Sequence, residues 1–242
     1  MTFRCQIAAW LLIASGAAGA AQPLSSDDAQ VQGAGRWQLE AGFQQSVPQS
    51  AAGGPPRTES TTLTRGLDER TDAYVSALHS RGSLGAGWGD LTLGLKWLLL
   101  EQGPFSLAFK PWLTLPTGNQ WRGLGTGRVS AGALMAMQTE VGPLSLLANA
   151  GVVYQPTRWN QRQWLWQISS AVLYHVTDRL QLAIDTVVAR NTQWGAKTNP
   201  AWVIAGVIYT PRPWIDLDVG YYHRLNDAAG PNMIMAGVAL HW

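Results

Sequence analysis

The sequence predicts an all-β chain that closes as a transmembrane, antiparallel up-and-down β-barrel of about twelve strands. Three observations predict it. Apolar and polar residues alternate with period two through one segment after another, the mark of strands with a single apolar face. The connections alternate strictly between short and long, as periplasmic turns at one rim and longer extracellular loops at the other require. Only 13% of the 242 residues are charged, about half the share of an ordinary soluble domain, while 13 are tryptophan and 26 glycine. No segment after Ala21 is apolar for the roughly 18 residues of a helical span, and a hydrophobic content of 46% excludes a disordered chain.

The chain opens on a segment of another kind. Arg4 is followed by Ile7 to Ala21, reading IAAWLLIASGAAGAA, in which Ala18-Gly19-Ala20 supplies the small-residue end of a secretory signal. The segment is too short for an anchor and ends in small residues instead of positive ones. Residues 1–20 are therefore expected to leave as a signal peptide, with cleavage after Ala20 or one residue later. Residues 21–35 are expected to form a periplasmic N-terminal tail, with a plug folded into the lumen as the alternative, and 36–242 the barrel. Cys5 leaves with the signal, so the mature chain can form no disulfide, cysteine-based metal site or thiol nucleophile. Loss of Arg4 leaves 16 basic residues against 15 acidic ones. That balance lacks the concentrated positive charge that nucleic acid demands.

The first strand, 36–46, sets Trp37, Leu39, Ala41 and Phe43 against Gln38, Glu40, Gly42 and Gln44. Strands 58–66 and 70–78 carry weaker patterns, the former with little besides Leu63 to mark a face. In 88–99, Leu91, Leu93, Leu95, Trp97 and Leu99 alternate with Asp90, Thr92, Gly94 and Lys96. In 104–115, Phe105, Leu107, Phe109, Leu113 and Leu115 alternate with Ser106, Lys110 and Thr114. Strands at 128–140, 143–154 and 163–176 follow. Leu180, Leu182, Ile184 and Val188 alternate with Gln181 and Asp185 in 179–190. After 200–210, Ile215, Leu217, Val219 and Tyr221 alternate with Asp216, Asp218 and Gly220 in 213–222. The last strand, 232–242, carries Ile234, Ala236, Val238, Leu240 and Trp242 on one side. Short connections fall at 67–69, 100–103, 141–142, 177–178 and 211–212. Long ones fall at 47–57, 79–87, 116–127, 155–162, 191–199 and 223–231.

If the apolar register faces lipid, Trp37, Trp97, Trp202 and Trp242 near strand ends form the aromatic girdle. Charge on a barrel's lipid face costs several kcal/mol near midplane, so the opposite register is the lumen. That register holds Glu40, Asp90, Lys96, Lys110, Asp185, Asp216 and Asp218, with Asp72, Gln138, Asn149 and Gln167. Lys96 and Lys110 fall on adjacent strands, diagonally close, and the carboxylates of Asp185, Asp216 and Asp218 could face them across the lumen. These charges form either a selectivity ring or a salt-bridged filling of a narrow barrel. Gly42, Gly94, Gly132, Gly151, Gly220 and Gly237 share the inner register, where small residues relieve crowding. The long loops carry Arg57, Arg81, Arg122, Arg158, Arg162, Lys197 and Arg224 against Asp227. Such an extracellular basic mouth either concentrates anionic solutes or meets lipopolysaccharide phosphates.

No H-E-x-x-H, P-loop or G-x-S-x-G string occurs. His79 and Ser80 are adjacent and so point to opposite faces of a strand, and His223 has no serine near it in sequence. No catalytic residue, metal or cofactor is expected, and the chain reads as a non-enzyme.

Residues 34–43 read AGRWQLEAGF, 85–97 read GAGWGDLTLGLKW and 109–119 read FKPWLTLPTGN. Together they resemble the meta-pathway phenol-degradation family of transporter-like outer-membrane barrels. Its members show a post-signal G-R-x-x-L-E-x-G strand, a G-x-G-D-L-x-L-G-x-K strand and a strand ending in P-T-G. The matching stretches here are Gly35 to Gly42, Gly87 to Lys96 and Pro116 to Gly118. The resemblance implies a porin-like barrel in the outer membrane of a Gram-negative bacterium that passes small, aromatic compounds passively; it transfers no catalytic or ligand-binding residue. A closed structural or ligand-binding barrel and a lipid-modifying enzyme are the alternative readings. The expected partners are outer-membrane lipid and lipopolysaccharide, a small-molecule solute, and the barrel-assembly machinery. The terminal Trp242 resembles the carboxy-terminal signal of such barrels. No nucleic-acid partner is expected.

Overall fold

The computed structural model describes residues 23–47, 56–82, 85–156 and 160–242; the expected signal peptide lies outside them, as does Arg158. The strands are β1 (Trp37–Ser46), β2 (Arg57–Gly66), β3 (Thr71–Gly82), β4 (Gly85–Trp88), β5 (Leu91–Gln102), β6 (Phe105–Leu115), β7 (Ser130–Val141), β8 (Leu144–Tyr154), β9 (Trp164–Thr177), β10 (Leu180–Ala189), β11 (Ala201–Arg212), β12 (Ile215–Arg224) and β13 (Met233–His241). Neighbours pair antiparallel, and β1 pairs with β13 from Gln38↔His241 to Ser46↔Met233, closing the sheet. β4 and β5 pair with the two halves of β3 and share one place in the wall. The result is a closed, twelve-position barrel in which, among the described strands, the short β4 alone has a single partner, β3. At the seam, the Trp37 and Trp242 backbones exchange hydrogen bonds of 2.8 and 3.1 Å, and their rings stack 6.5 Å apart.

The twelve expected strands are the observed ones, with one change. The expected strand 88–99 breaks at Gly89-Asp90, and the expected loop 79–87 is largely a hairpin in which the end of β3 pairs with β4. Short links after β5 and β7 are Gly103-Pro104 and Gly142-Pro143. Each glycine has φ near +60° (57° and 58°), as the first central position of a II′ hairpin turn requires.

The wall is apolar outside and largely polar inside. Leu93, Leu95, Trp97, Leu113, Ile168, Ile184, Val219 and Ile234 stand exposed, while Thr62, Asp72, Thr92, Lys96, Lys110, Asn149 and Asp185 are buried. A surface of this kind suits lipid, and strands that, β4 aside, run nine to fourteen residues suit the roughly 25 Å apolar band of an outer-membrane barrel.

Trp202 departs from the expected girdle: it is only 5% exposed and points inward. Both registers of β11 are apolar at this end, so alternation alone does not choose a face. The inward one gains Leu165, Val187, Ile204, Tyr222 and Met235 as neighbours in a buried cluster toward the long-loop end. Across the lumen, Tyr74, Trp112 and Leu134 form a second cluster. Their rings fill space left by glycine: a Cβ on Gly94 would meet Tyr74 Cζ at 2.3 Å, and one on Gly132 would meet Trp112 Cζ2 at 2.3 Å. This is the aromatic cover that glycine kinks in curved sheets call for.

Candidate functional site

Before β1 the chain runs through the lumen, not outside it as a periplasmic tail. Residues 23–35 form an irregular strap along the inner wall, and the reason lies in its polar groups. A buried strap outside any sheet must find partners for its backbone N–H groups, and wall side chains supply them. Ser25 and Ser26 N–H donate to Asp185 Oδ2, both at 2.7 Å, and Asp27 N–H donates to Asn149 Oδ1 at 2.6 Å. Ala29 N–H donates to Gln138 Oε1 at 3.1 Å, and Gln32 N–H to Asp72 at 3.0 Å. The Ser26 hydroxyl donates to Asp185 Oδ1, and Asn149 Nδ2 returns a bond to the Asp27 carbonyl.

The centre of the strap is an ionic clamp. Asp27, fully buried, accepts from Lys96 Nζ at 3.0 Å and from Lys110 Nζ at 2.5 Å, and Lys96 also binds Asp28 at 2.7 Å. Lys110 Nζ sits 4.9 Å from the centre of the Tyr74 ring, within cation–π range. Burial by itself would raise the Asp27 pKa, but the two ammonium groups more than reverse this and hold it below the ordinary 3.8.

The base of the strap is a close backbone crossing. A Cβ on Gly66 would fall 1.8 Å from the Gly33 carbonyl oxygen, and Gly33 itself has φ +83°. Backbone stands against backbone here, so no side chain can swing aside. Gly66→Ala is expected to destabilise the folded protein by about 1–3 kcal/mol, as read by thermal unfolding in detergent, and to loosen the strap.

The other expected lumen residues have separate partners. Asp90 holds the loop after β6, accepting from Gly118 N–H at 2.9 Å and Thr126 N–H at 2.8 Å. Asp216 takes His241 Nε2 at 2.9 Å and the Thr210 hydroxyl. Glu40, Asp218 and Gln167 are buried, each with one side-chain oxygen lacking a hydrogen-bond partner among the described residues. The strap's Asp27 stands on the two lysines, and its Ser25 and Ser26 amides on Asp185 of the far wall.

At the long-loop rim, Arg57 pairs with Glu59 at 3.1 Å and Arg224 with Asp227 at 3.2 Å. Arg162 donates to the carbonyls of Asn191 and Gln193 and lies over Trp194. Arg122 packs against Gly85, while Arg81 and Lys197 are exposed. Of the expected girdle, Trp97 and Trp242 are exposed, and Trp37 is half-buried beneath Arg65.

A cavity of about 290 Å³ adjoins the strap toward the short-turn end. Leu24, Leu147, Leu173 and Ile208 give it apolar lining; Asp28, Glu140, Ser145 and His175 give it polar lining. Ser145 and His175 are in contact at 2.9 Å, a pair the sequence concealed because 30 residues separate them. The serine proton goes to Glu140 at 2.6 Å, so the imidazole donates to the serine oxygen and is not placed as its base. Among the described residues, no three His, Cys, Asp or Glu side chains converge as a metal site would.

Fold, lipid-suited exterior and strapped lumen define an outer-membrane barrel of porin-like architecture. The chain belongs to the family described as "Putative MetA-pathway of phenol degradation", whose model matches residues 20–240. Its fold is similar to that of an outer-membrane channel from Pseudomonas putida F1, with a TM-score of 0.72 at 17% identity over 89% of this chain and 98% of that one. It is also similar to the KdgM porin (0.61, 6% identity, 84% and 98%) and the NanC porin (0.58, 10% identity, 84% and 98%). No curated protein matches the chain.

Proposed function

We propose that the barrel admits small aromatic molecules passively through the outer membrane, with the strap setting the bore. The observation that carries this reading is the apolar inner wall on the long-loop side of the clamp. Trp202, Tyr222, Ile204 and Met235 on one side and Tyr74, Trp112 and Leu134 on the other replace the polar lining of a general porin. An aromatic ring gains contact area there, and a sugar loses hydration without replacement bonds. The cavity beyond the strap repeats the mixture, with leucines beside two serines, a histidine and two carboxylates. The family's link to phenol degradation supports the same class of compound. The exposed Arg81 and Lys197 would enrich anionic solutes at the rim.

Solute-induced swelling of liposomes carrying the mature protein tests the proposal. Phenols and aromatic carboxylates are expected to enter faster than sugars of similar size. Equal swelling by all of them would mean a general pore. No swelling, from protein with intact strand content, would favour a closed binding barrel.

A further inference from the structure

Like charges directly opposite each other in a sheet repel, and one such pair occurs among the described strands. Arg57 of β2 is the cross-strand partner of Arg81 of β3, at the long-loop end of the wall. The two arginines share the register of Leu63 and Val75, which faces away from the lumen. Thr58, Thr62 and Thr64, on the opposite register of β2, are buried inside. Both guanidinium groups therefore belong to the outer face, above the apolar band and outside the bore.

One step lower on this face, Glu59 is the partner of His79. Its carboxylate reaches Arg57 Nη2 at 3.1 Å and His79 Nδ1 at 3.4 Å. One carboxylate against two guanidinium groups leaves a positive charge uncompensated. Arg81 is exposed, and Arg57 Nε is buried without a hydrogen-bond partner among the described residues. Two aromatic side chains flank the cluster. Trp88 of β4 meets the His79 ring edge-on, with centroids 5.2 Å apart, and is exposed; Phe43 of β1 is the partner of Glu59 on the other side. Cations rimmed by aromatic rings, at the extracellular end of a barrel wall, stand level with the headgroups of the outer leaflet.

We propose that Arg57 and Arg81 together hold a lipid A phosphate of lipopolysaccharide against the outer face of the barrel. A phosphate monoester brings up to two negative charges and three acceptor oxygens, which guanidinium groups bind in a fork. Such an anion turns a repelling pair into a shared site and gives Arg57 Nε an acceptor. The direction of the pair selects the lipid as its source, because a solute in the bore faces the other register. Trp88 and Phe43 then lie against the sugar and the upper acyl chains, apolar ring bodies in a half-wet layer. A phosphate so held takes Arg81 out of the rim's field for anionic solutes; Lys197 keeps its share.

The test uses protein refolded in detergent, and so free of cellular lipid, with diphosphoryl lipid A as the probe. Binding is read by native mass spectrometry. Arg57→Gln and Arg81→Gln should each weaken it about tenfold or more, the loss of one charge-assisted contact. Arg128→Gln, a charge removed elsewhere on the same rim, should bind as the wild type does. Lipid A should raise the unfolding temperature of the wild type and leave that of Arg81→Gln unchanged. Without lipid, Arg81→Gln should unfold no lower than the wild type, because the substitution relieves a repulsion. Equal binding by the wild type and Arg81→Gln would overturn the proposal, as would an equal loss in Arg128→Gln. Lipid A stripped of its phosphates should bind the wild type no better than Arg81→Gln; undiminished binding would assign the face to acyl contacts alone and sink the phosphate site. Full displacement of lipid A by millimolar inorganic phosphate would give the pair to a free anion and sink the lipid source.

Discussion

Mature protein lacking residues 21–32 is expected to carry several-fold more current in planar bilayers than the intact chain, with its strand content unchanged. The wall does not depend on the strap: every strand but the short β4 pairs with two neighbours, and the seam is closed by β1 and β13. What the deletion removes is the chain that runs from just before the Gly33–Gly66 crossing to Gly206 and Gly220 on β11 and β12. Along the way it fills the lumen between the lysines and Asp185. The truncated channel should also become more anion-selective, because Lys96 and Lys110 lose the carboxylate that neutralises them. Unchanged conductance would show that the narrowest point lies elsewhere, and the long-loop end would be the next place to look.

Asp27→Asn is the single substitution with the largest expected effect on the closed state. It takes from Lys96 and Lys110 the carboxylate they share, while Asp28 stays on Lys96. Removing one partner of a buried ion pair costs about 3–5 kcal/mol, roughly two to three and a half decades in the docked-to-released ratio. The barrel itself is spared, because once the strap lets go the lysines are hydrated by the lumen. Frequent openings are therefore expected, and adding Lys96→Met and Lys110→Met should suppress them by removing the charges that Asp27 balances. Acid should mimic the substitution. The docked Asp27 has a lower pKa than its released value of 3.8. Its contribution is therefore complete above that value and is lost as pH falls through the lower one. Conductance is expected to stay level from neutrality to about pH 4 and to rise below it, with no such step in Asp27→Asn. An onset well above pH 4 would assign release to Asp72 or Asp185, the other carboxylates that accept strap N–H groups.

Much of this architecture is legible in the residues, and the illegible parts share a cause. Alternation such as Leu91-Leu93-Leu95 against Thr92-Gly94-Lys96 finds strands because each residue's face is decided by its immediate neighbours. The same rule places Lys96 and Lys110 on the inner register, but it cannot supply their partner. Asp27 lies 69 and 83 residues away in sequence, in a segment with no periodicity. The run Ser25-Ser26-Asp27-Asp28 is the one trace of the strap: short polar side chains and two acids in a chain otherwise poor in charge. Trp202 shows the converse failure. Where Trp202 and Ile204 share β11 with Ala201, Val203 and Ala205, period two contains no polar face to exclude. Ser145 and His175 were hidden because each looks ordinary until β8 and β9 pair.

The stretches G-x-G-D and P-T-G lie 26 residues apart, yet they are two halves of one joint. Leu91 N–H donates to the Thr117 hydroxyl, which donates to the Gly89 carbonyl, while Gly118 N–H donates to Asp90. A Cβ on Gly118 would fall 2.2 Å from the Leu124 oxygen and 2.9 Å from the Gly89 carbonyl carbon. A barrel of this kind that changed Asp90 alone would leave the Gly118 and Thr126 amides without an acceptor, and one that changed Gly118 alone would push the loop off the carboxylate. Among related chains, then, the two stretches should be kept or lost as a pair. The presence of one without the other would mark a barrel whose outer rim is built differently.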